Sequence, residues 1–388
     1  MTLSLRIIFP GLVFAGLWLG AESLRSTSGG ATLSFSLLIG AVFGIVLQRA
    51  RFCFFCNLRD FLESGDPRGA LSILMALGVG AVGYTVIFGA WLPVPVEGRL
   101  PPTAHIGPVS PALALAAFVF GVGMTISGSC LSAHLYRLGE GSPTAPFALL
   151  GAVLGFAIGF MTWNPIYLAL VSEGSAVWLP HSLGYAGTLA ITLSGLVVLA
   201  LLALWRSMPL PISAPYSFAP RDALRAVFVD RWPTLIGGAA VGVISAVAYF
   251  RVAPLGVTAE LGSIARTGAA AAGIAPETLF GLDGFRGCAT AIKQTLLSKN
   301  GAFIVGLIGG SFASAILAGQ FTPQLPTLAQ IRNGLTGGVL MGWSAMTALG
   351  CTVGVLLSGI HAGALAGWVF FAFCAAGVAL SLWMKRRD

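Results

Sequence analysis

Residues 111–141, PALALAAFVFGVGMTISGSCLSAHLYRLGEG, set the architecture. The run 111–127 is apolar for nearly the roughly 20 positions that a helix needs to cross a hydrocarbon core. It stops at Ser127-Gly128-Ser129, residue types that suit one helix end and the start of another. The next segment, 130–138, is too short to cross. Such broken backbone is tolerated at membrane depth only where protein or a water-lined cavity surrounds it. The stretch therefore predicts a span leading into a short re-entrant helix.

The same device recurs along the chain. Phe120-Gly121 stand ten and nine residues before Cys130, Phe43-Gly44 hold that spacing before Cys53, and Met341-Gly342 hold it before Cys351. Gly242 stands nine before Arg251. Each site closes a span and opens a segment too short to cross: 52–62, 130–138, 254–266 and 351–360.

Composition agrees. The chain is 56% hydrophobic and only 9% charged, where an average soluble chain is about a quarter charged. It holds ten candidate spans: 6–22, 31–49, 69–92, 111–127, 144–162, 185–205, 232–250, 300–319, 332–349 and 361–384. The expected fold is an all-α integral membrane protein of about nine to ten transmembrane helices with several short re-entrant helices. The 52 glycines point to closely packed, interrupted helices. The first apolar run reads as a retained span rather than a cleaved signal peptide, because another span comes almost at once.

Spans 2–5 match spans 7–10. The offset of five is odd, so the second half is expected to be inverted relative to the first, with a site where the broken helices meet. The organisation is then an additional N-terminal span at 1–30, a first membrane repeat at 31–206, a linker at 207–231 and a second repeat at 232–388. Lys385-Arg386-Arg387 are expected in the cytoplasm, and counting back puts the linker there too. That places fourteen of the 21 basic residues inside. Five of the rest, Arg251, Arg266, Arg286, Lys293 and Lys299, crowd into 251–299, a basic vestibule that would attract anions.

Cysteines supply the candidate chemistry. Cys130 and Cys351 are each placed to open a short helix behind glycine, and Gly287-Cys288 is a third version. Unpaired N–H groups and the helix dipole favour an anion at such a start. Cys53 shares the position, whereas Cys56 and mid-span Cys374 read as packing. Ser129 and Gly350 flank the thiols as further anion contacts. Arg51 and Arg251 mark corresponding ends of the two halves and, with Arg286, are candidate charge partners. His134 and His361 read as core histidines, Tyr136, Arg137 and Glu140 as interfacial anchors, and Trp91, Trp163 and Trp178 as belt residues.

Arg49-Ala50-Arg51-Phe52-Cys53-Phe54, Gly128-Ser129-Cys130 with Tyr136-Arg137-Leu138-Gly139-Glu140-Gly141, and Gly337-Gly338-Val339-Leu340-Met341-Gly342 running into Gly350-Cys351-Thr352-Val353-Gly354 together resemble the YeeE/YedE family over about 38–384. The resemblance implies an hourglass-like permease of the bacterial inner membrane that passes thiosulfate between thiols. It puts the conduit cysteines at Cys130, Cys288 and Cys351. The chain departs from the family in its additional N-terminal segment and in Cys56. A transporter rather than an enzyme is expected, with no cofactor, no metal and no nucleic-acid partner. No P-loop appears. The partners are a small sulfur anion, the lipid bilayer and a cytoplasmic sulfurtransferase of the TusA type. The alternatives are a membrane thiol enzyme, or a scaffold relaying sulfur or selenium to such a sulfurtransferase.

Overall fold

The computed structural model describes residues 3–27, 29–96, 98–207, 225–276, 278–282, 292–293, 295 and 297–387. The chain runs as α1 (Leu3–Arg25), α2 (Gly30–Ala50), α3 (Phe54–Ser64), α4 (Pro67–Trp91), α5 (Pro111–Ser127), α6 (Leu131–Gly139), α7 (Ala145–Ile166), α8 (Leu179–Arg206), α9 (Thr234–Arg251), α10 (Val257–Ala271), α11 (Lys299–Leu317), α12 (Leu328–Thr347), α13 (Thr352–His361, mostly π-helical) and α14 (Leu365–Lys385). Among the described residues there is no strand, and eight helical segments are long and apolar enough to cross a membrane. Counting the bent pair α12–α13 makes nine. The protein is a multi-pass membrane protein.

Local chemistry sets the helix ends. Ser110 caps α5 by accepting from Leu113 N, with Pro111 in the first turn, where its missing N–H costs nothing. Thr327 and Gln330 form a capping box on α12. The expected short segments 52–62 and 130–138 are α3 and α6, and 351–360 is α13. The segment 254–266 is the start of α10. The span expected at 185–205 begins earlier, at Leu179, and is broken at Gly184 (φ 66°), beside the start that the sequence suggests.

Glycine lets the long helices touch backbone to backbone. A Cβ on Gly44 would stand 2.1 Å from Leu307 O, and one on Gly342 would stand 2.0 Å from Ala152 O. These contacts join α2 to α11 and α7 to α12. Without a hydrophobic driving force inside lipid, close packing of this kind is what holds helices together. Two residues expected at the membrane interface lie in the interior instead. Trp163 and Trp178 are buried and donate to Phe280 O and Ala362 O. Trp91 is exposed.

Candidate functional site

Three short helices start at cysteine. α5 ends on Gly128 in the left-handed region (φ 82°), which turns the chain so that Cys130 becomes the N-cap of α6. Cys53 is the N-cap of α3, and its Sγ accepts from Cys56 N. Cys351 is the N-cap of α13, and its Sγ accepts from Val353 N at 3.4 Å. The turn into α13 uses positive φ at Leu349 (61°) and Gly350 (155°). All three thiols are 1% exposed.

The structure brings Cys53 and Cys130 together from elements far apart in sequence. Their Sγ atoms lie 3.8 Å apart, and Cys130 Sγ also faces Ser132 Oγ at 3.3 Å. A cavity beside Cys130 is lined by Cys130, Ser132, Phe43, Leu47, Phe52 and Phe54. Thr352, Val353, Leu356 and Leu357 of α13 line it too. The first turn of the Cys351 helix thus borders the same space as Cys130. A thiol can donate one weak hydrogen bond and offers a soft, polarisable sulfur. Helix starts add backbone N–H groups and a positive dipole end. Together they suit a soft anion held weakly.

Other sequence-predicted residues divide clearly. Ser129 is fully buried beside Cys130, and its Oγ has no hydrogen-bond partner. Gly350 packs under His105, whose Nε2 would meet a Cβ there at 2.9 Å. Arg51 ends α2, half-exposed, 4.0 Å from the Glu140 carboxylate. Arg251 is exposed and lies over the Phe35 ring, 5.7 Å from its centroid. Cys288 and Arg286 lie outside the described residues. Cys374 is fully buried in mid-helix, where its carbonyl would meet a Cβ on Gly121 at 2.3 Å, so it belongs to the α5–α14 packing. Of the vestibule cations, Lys293 is held by the buried Glu260 carboxylate, which Ser298 Oγ also meets.

The structure corrects two expectations. Cys56 does more than pack, because its Sγ accepts a hydrogen bond from Arg137 Nη2 at 3.1 Å. Tyr136 and Arg137, expected at the interface, turn inward: Tyr136 is fully buried. The spacing of Cys53 behind Phe43-Gly44, identical to that of Cys130, is the sequence signal for the thiol pair. Nothing in the sequence signals that side chains of α3 and α6 meet.

The connection between α4 and α5 folds back into the protein. Within it His105 is buried, and its Nε2 lies 2.8 Å from Leu349 O at the turn before Cys351. A carbonyl only accepts, so this nitrogen carries the proton. Burial pushes the imidazole pKa down from 6.5 to about 4, against the opposing effect of that hydrogen bond. Because the folded-state pKa is the lower one, protonation favours unfolding. The contribution to stability is complete above the ordinary value of 6.5 and is lost as pH falls from there toward about 4. The melting temperature of the purified protein should therefore drop across that window, and His105→Gln, which cannot titrate, should drop less. An identical pH profile for the two proteins would remove His105 from this role.

Known proteins resemble this chain over most of its length. The family described as "Sulphur transport" matches residues 49–380. The thiosulfate transporter TsuA of Spirochaeta thermophila is 29% identical over 367 residues, covering 90% of this chain and 98% of that protein. The thiosulfate transporter TsuA of Escherichia coli is 26% identical over 366 residues, covering 90% and 93%. The probable transporter YedE of Escherichia coli is 29% identical over 163 residues, covering 41% of this chain and 37% of that protein.

Proposed function

Because this chain belongs to the sulphur transport family, whose members move sulfur compounds across membranes, we propose that it carries thiosulfate inward through a conduit formed by Cys130, Cys351, Cys53 and the helix starts they cap. The observation that carries this reading is the convergence of α6 and α13 on one buried cavity, with Cys130 at its wall and Cys53 behind it, 3.8 Å from Cys130 Sγ. Two relatives matched over nearly their whole length are named as thiosulfate transporters, which supports the choice of substrate. Cys288, placed in the conduit by resemblance, remains part of the proposal.

Thiosulfate is a dianion with a soft terminal sulfur. Thiol and backbone N–H donors can replace part of its hydration, and a conducting site must bind firmly enough to admit and weakly enough to release. Neutral donors meet that condition better than a buried lysine would. A bacterium lacking thiosulfate uptake should grow on thiosulfate as sole sulfur source when it carries this gene. Expression in the membrane without growth would count against the reading.

The two-halves reading draws support from helix packing. Pair α2 with α9, α3 with α10, α4 with α11, α5 with α12, α6 with α13 and α7 with α14. Under that exchange the contact α2–α11 becomes α9–α4, α7–α12 becomes α14–α5, α6–α11 becomes α13–α4, and α3–α14 becomes α10–α7, all of which occur. In this reading the protein sits in the bacterial inner membrane with its C-terminus in the cytoplasm, where a sulfurtransferase of the TusA type would receive the cargo. Single cysteines introduced at Arg99 and at Arg221 should label from opposite sides of the membrane. Labelling from one side would sink the inverted arrangement.

A further inference from the structure

α6 carries a polar stripe that reaches beyond the Cys53–Cys130 pair. Cys130, His134 and Arg137 stand at i, i+4 and i+7, which puts them on one helix face. α3 meets that face with Cys53 and Cys56, one turn apart. Cys53 lies against Cys130 at one end, and Arg137 Nη2 donates to Cys56 Sγ at the other. The two helices form a ladder, with the thiol pair on one rung and a guanidinium on a thiol roughly 10 Å along the helix.

Between the rungs is His134, 2% exposed, with no hydrogen-bond partner on either ring nitrogen. Ser129 Oγ, fully buried beside Cys130, is equally unsatisfied, as is Arg137 Nε. Among the described residues no carboxylate lies within ion-pair reach of Arg137. The carboxylate of Glu140, on the next turn, stands 4.0 Å from Arg51 and accepts from Gln48 instead. Buried polar groups are almost always hydrogen-bonded, and Arg137, half-buried, is a partly desolvated cation without a counter-charge, which is costly. A file of such groups along one helix face asks for a ligand that brings negative charge and several acceptors.

We propose that Arg137 and His134, with Cys56 as the resting partner of the guanidinium, form a second anion site beyond the thiol pair, which takes the oxygen end of a doubly charged sulfur oxyanion. This rests on the reading of the chain as a thiosulfate carrier. The thiols meet the soft sulfur, whereas the guanidinium presents paired N–H donors to two oxygens at once. The anion exchanges sulfur-led contacts for oxygen-led ones as it moves along α6. A thiol in place of a carboxylate beside Arg137 leaves the cation able to take up its cargo and let it go.

The test is uptake of radiolabelled thiosulfate into liposomes containing the purified full-length protein, together with the melting temperature of each variant without substrate. Arg68→Gln, at an exposed arginine on Asp66, controls for loss of surface charge. Arg137→Gln should slow uptake by about tenfold or more, while melting within about 3 °C of wild type. Arg137→Lys should recover part of the rate with a raised KM, since it restores charge without the paired donors. If the Gln variant does not fold, the Lys variant carries the test: a raised KM at unchanged melting temperature is expected, and an unchanged KM overturns the site. Wild-type uptake by a folded Arg137→Gln overturns it too, as do equal losses in both variants with both melting far below wild type. Wild-type liposomes that take up nothing would overturn the transport reading itself.

Discussion

Serine at Cys130 or at Cys351 is expected to cut thiosulfate uptake by about tenfold to a hundredfold while the protein still inserts and folds. Both thiols are 1% exposed and cap short helices that border one cavity. Serine keeps the size and a donor at the cap, so the local helix start survives, and it is itself a good N-cap residue. What is lost is the soft sulfur proposed to meet the terminal sulfur of the anion. Alanine should be at least as harmful, because it removes the remaining donor as well. Cys53→Ser should resemble Cys130→Ser, since the two sulfurs lie 3.8 Å apart. Cys374→Ser should leave uptake near wild type, because that thiol packs inside the α5–α14 contact and does not line the cavity. Growth on thiosulfate and uptake in liposomes measure the effect, with protein abundance in the membrane as the folding check. Well-expressed serine variants that grow like wild type would leave the backbone N–H groups to carry the anion alone.

The largest stability effect is expected at the glycine contacts. Gly342→Leu would drive a side chain into the α7 backbone, where even a Cβ stands 2.0 Å from Ala152 O. Backbone cannot rotate aside as a flexible side chain does. Overpacking costs about 1–3 kcal/mol and sometimes more, and here it parts two spans along their length. Gly44→Leu should behave alike, through the α2 contact with Leu307 O at 2.1 Å. Either variant should yield little monodisperse protein after detergent extraction. Gly89→Ala is the contrast: nothing lies within 4 Å of its Cβ position, and alanine is the better helix former by about 1 kcal/mol. Normal recovery of Gly342→Leu would mean that α7 and α12 do not approach so closely.

Much of this architecture is written in the local sequence. Span-length apolar runs, helix-ending glycines and the repeated ten-residue spacing before a cysteine locate the long helices and the short α3, α6 and α13, because those signals depend on neighbours in the chain. The spacing also singles out Cys130, Cys351 and Cys53 as helix-starting thiols. Contacts across helices are not legible. Nothing in Cys56 or Arg137 alone says that one will donate to the other, since that depends on how α3 and α6 are laid together by α4 and α5. Trp163 and Trp178 depart from expectation for the same reason: an aromatic residue near a span end suits the lipid interface, unless another segment folds over it. Here Phe280 and Ala362 supply the acceptors that bury them. The stretch around Cys288 lacks the span-length apolar run that precedes the other thiol sites.

The central claim is that thiosulfate crosses whole, passed between thiols rather than taken apart by them. Liposomes containing only the purified protein can be given thiosulfate labelled separately on its outer and its central sulfur. Both labels should enter together, at equal rates, and the cysteines should carry no persulfide afterwards. Entry of the outer sulfur alone, or its retention on a protein thiol, would instead make the protein a sulfur-transferring enzyme.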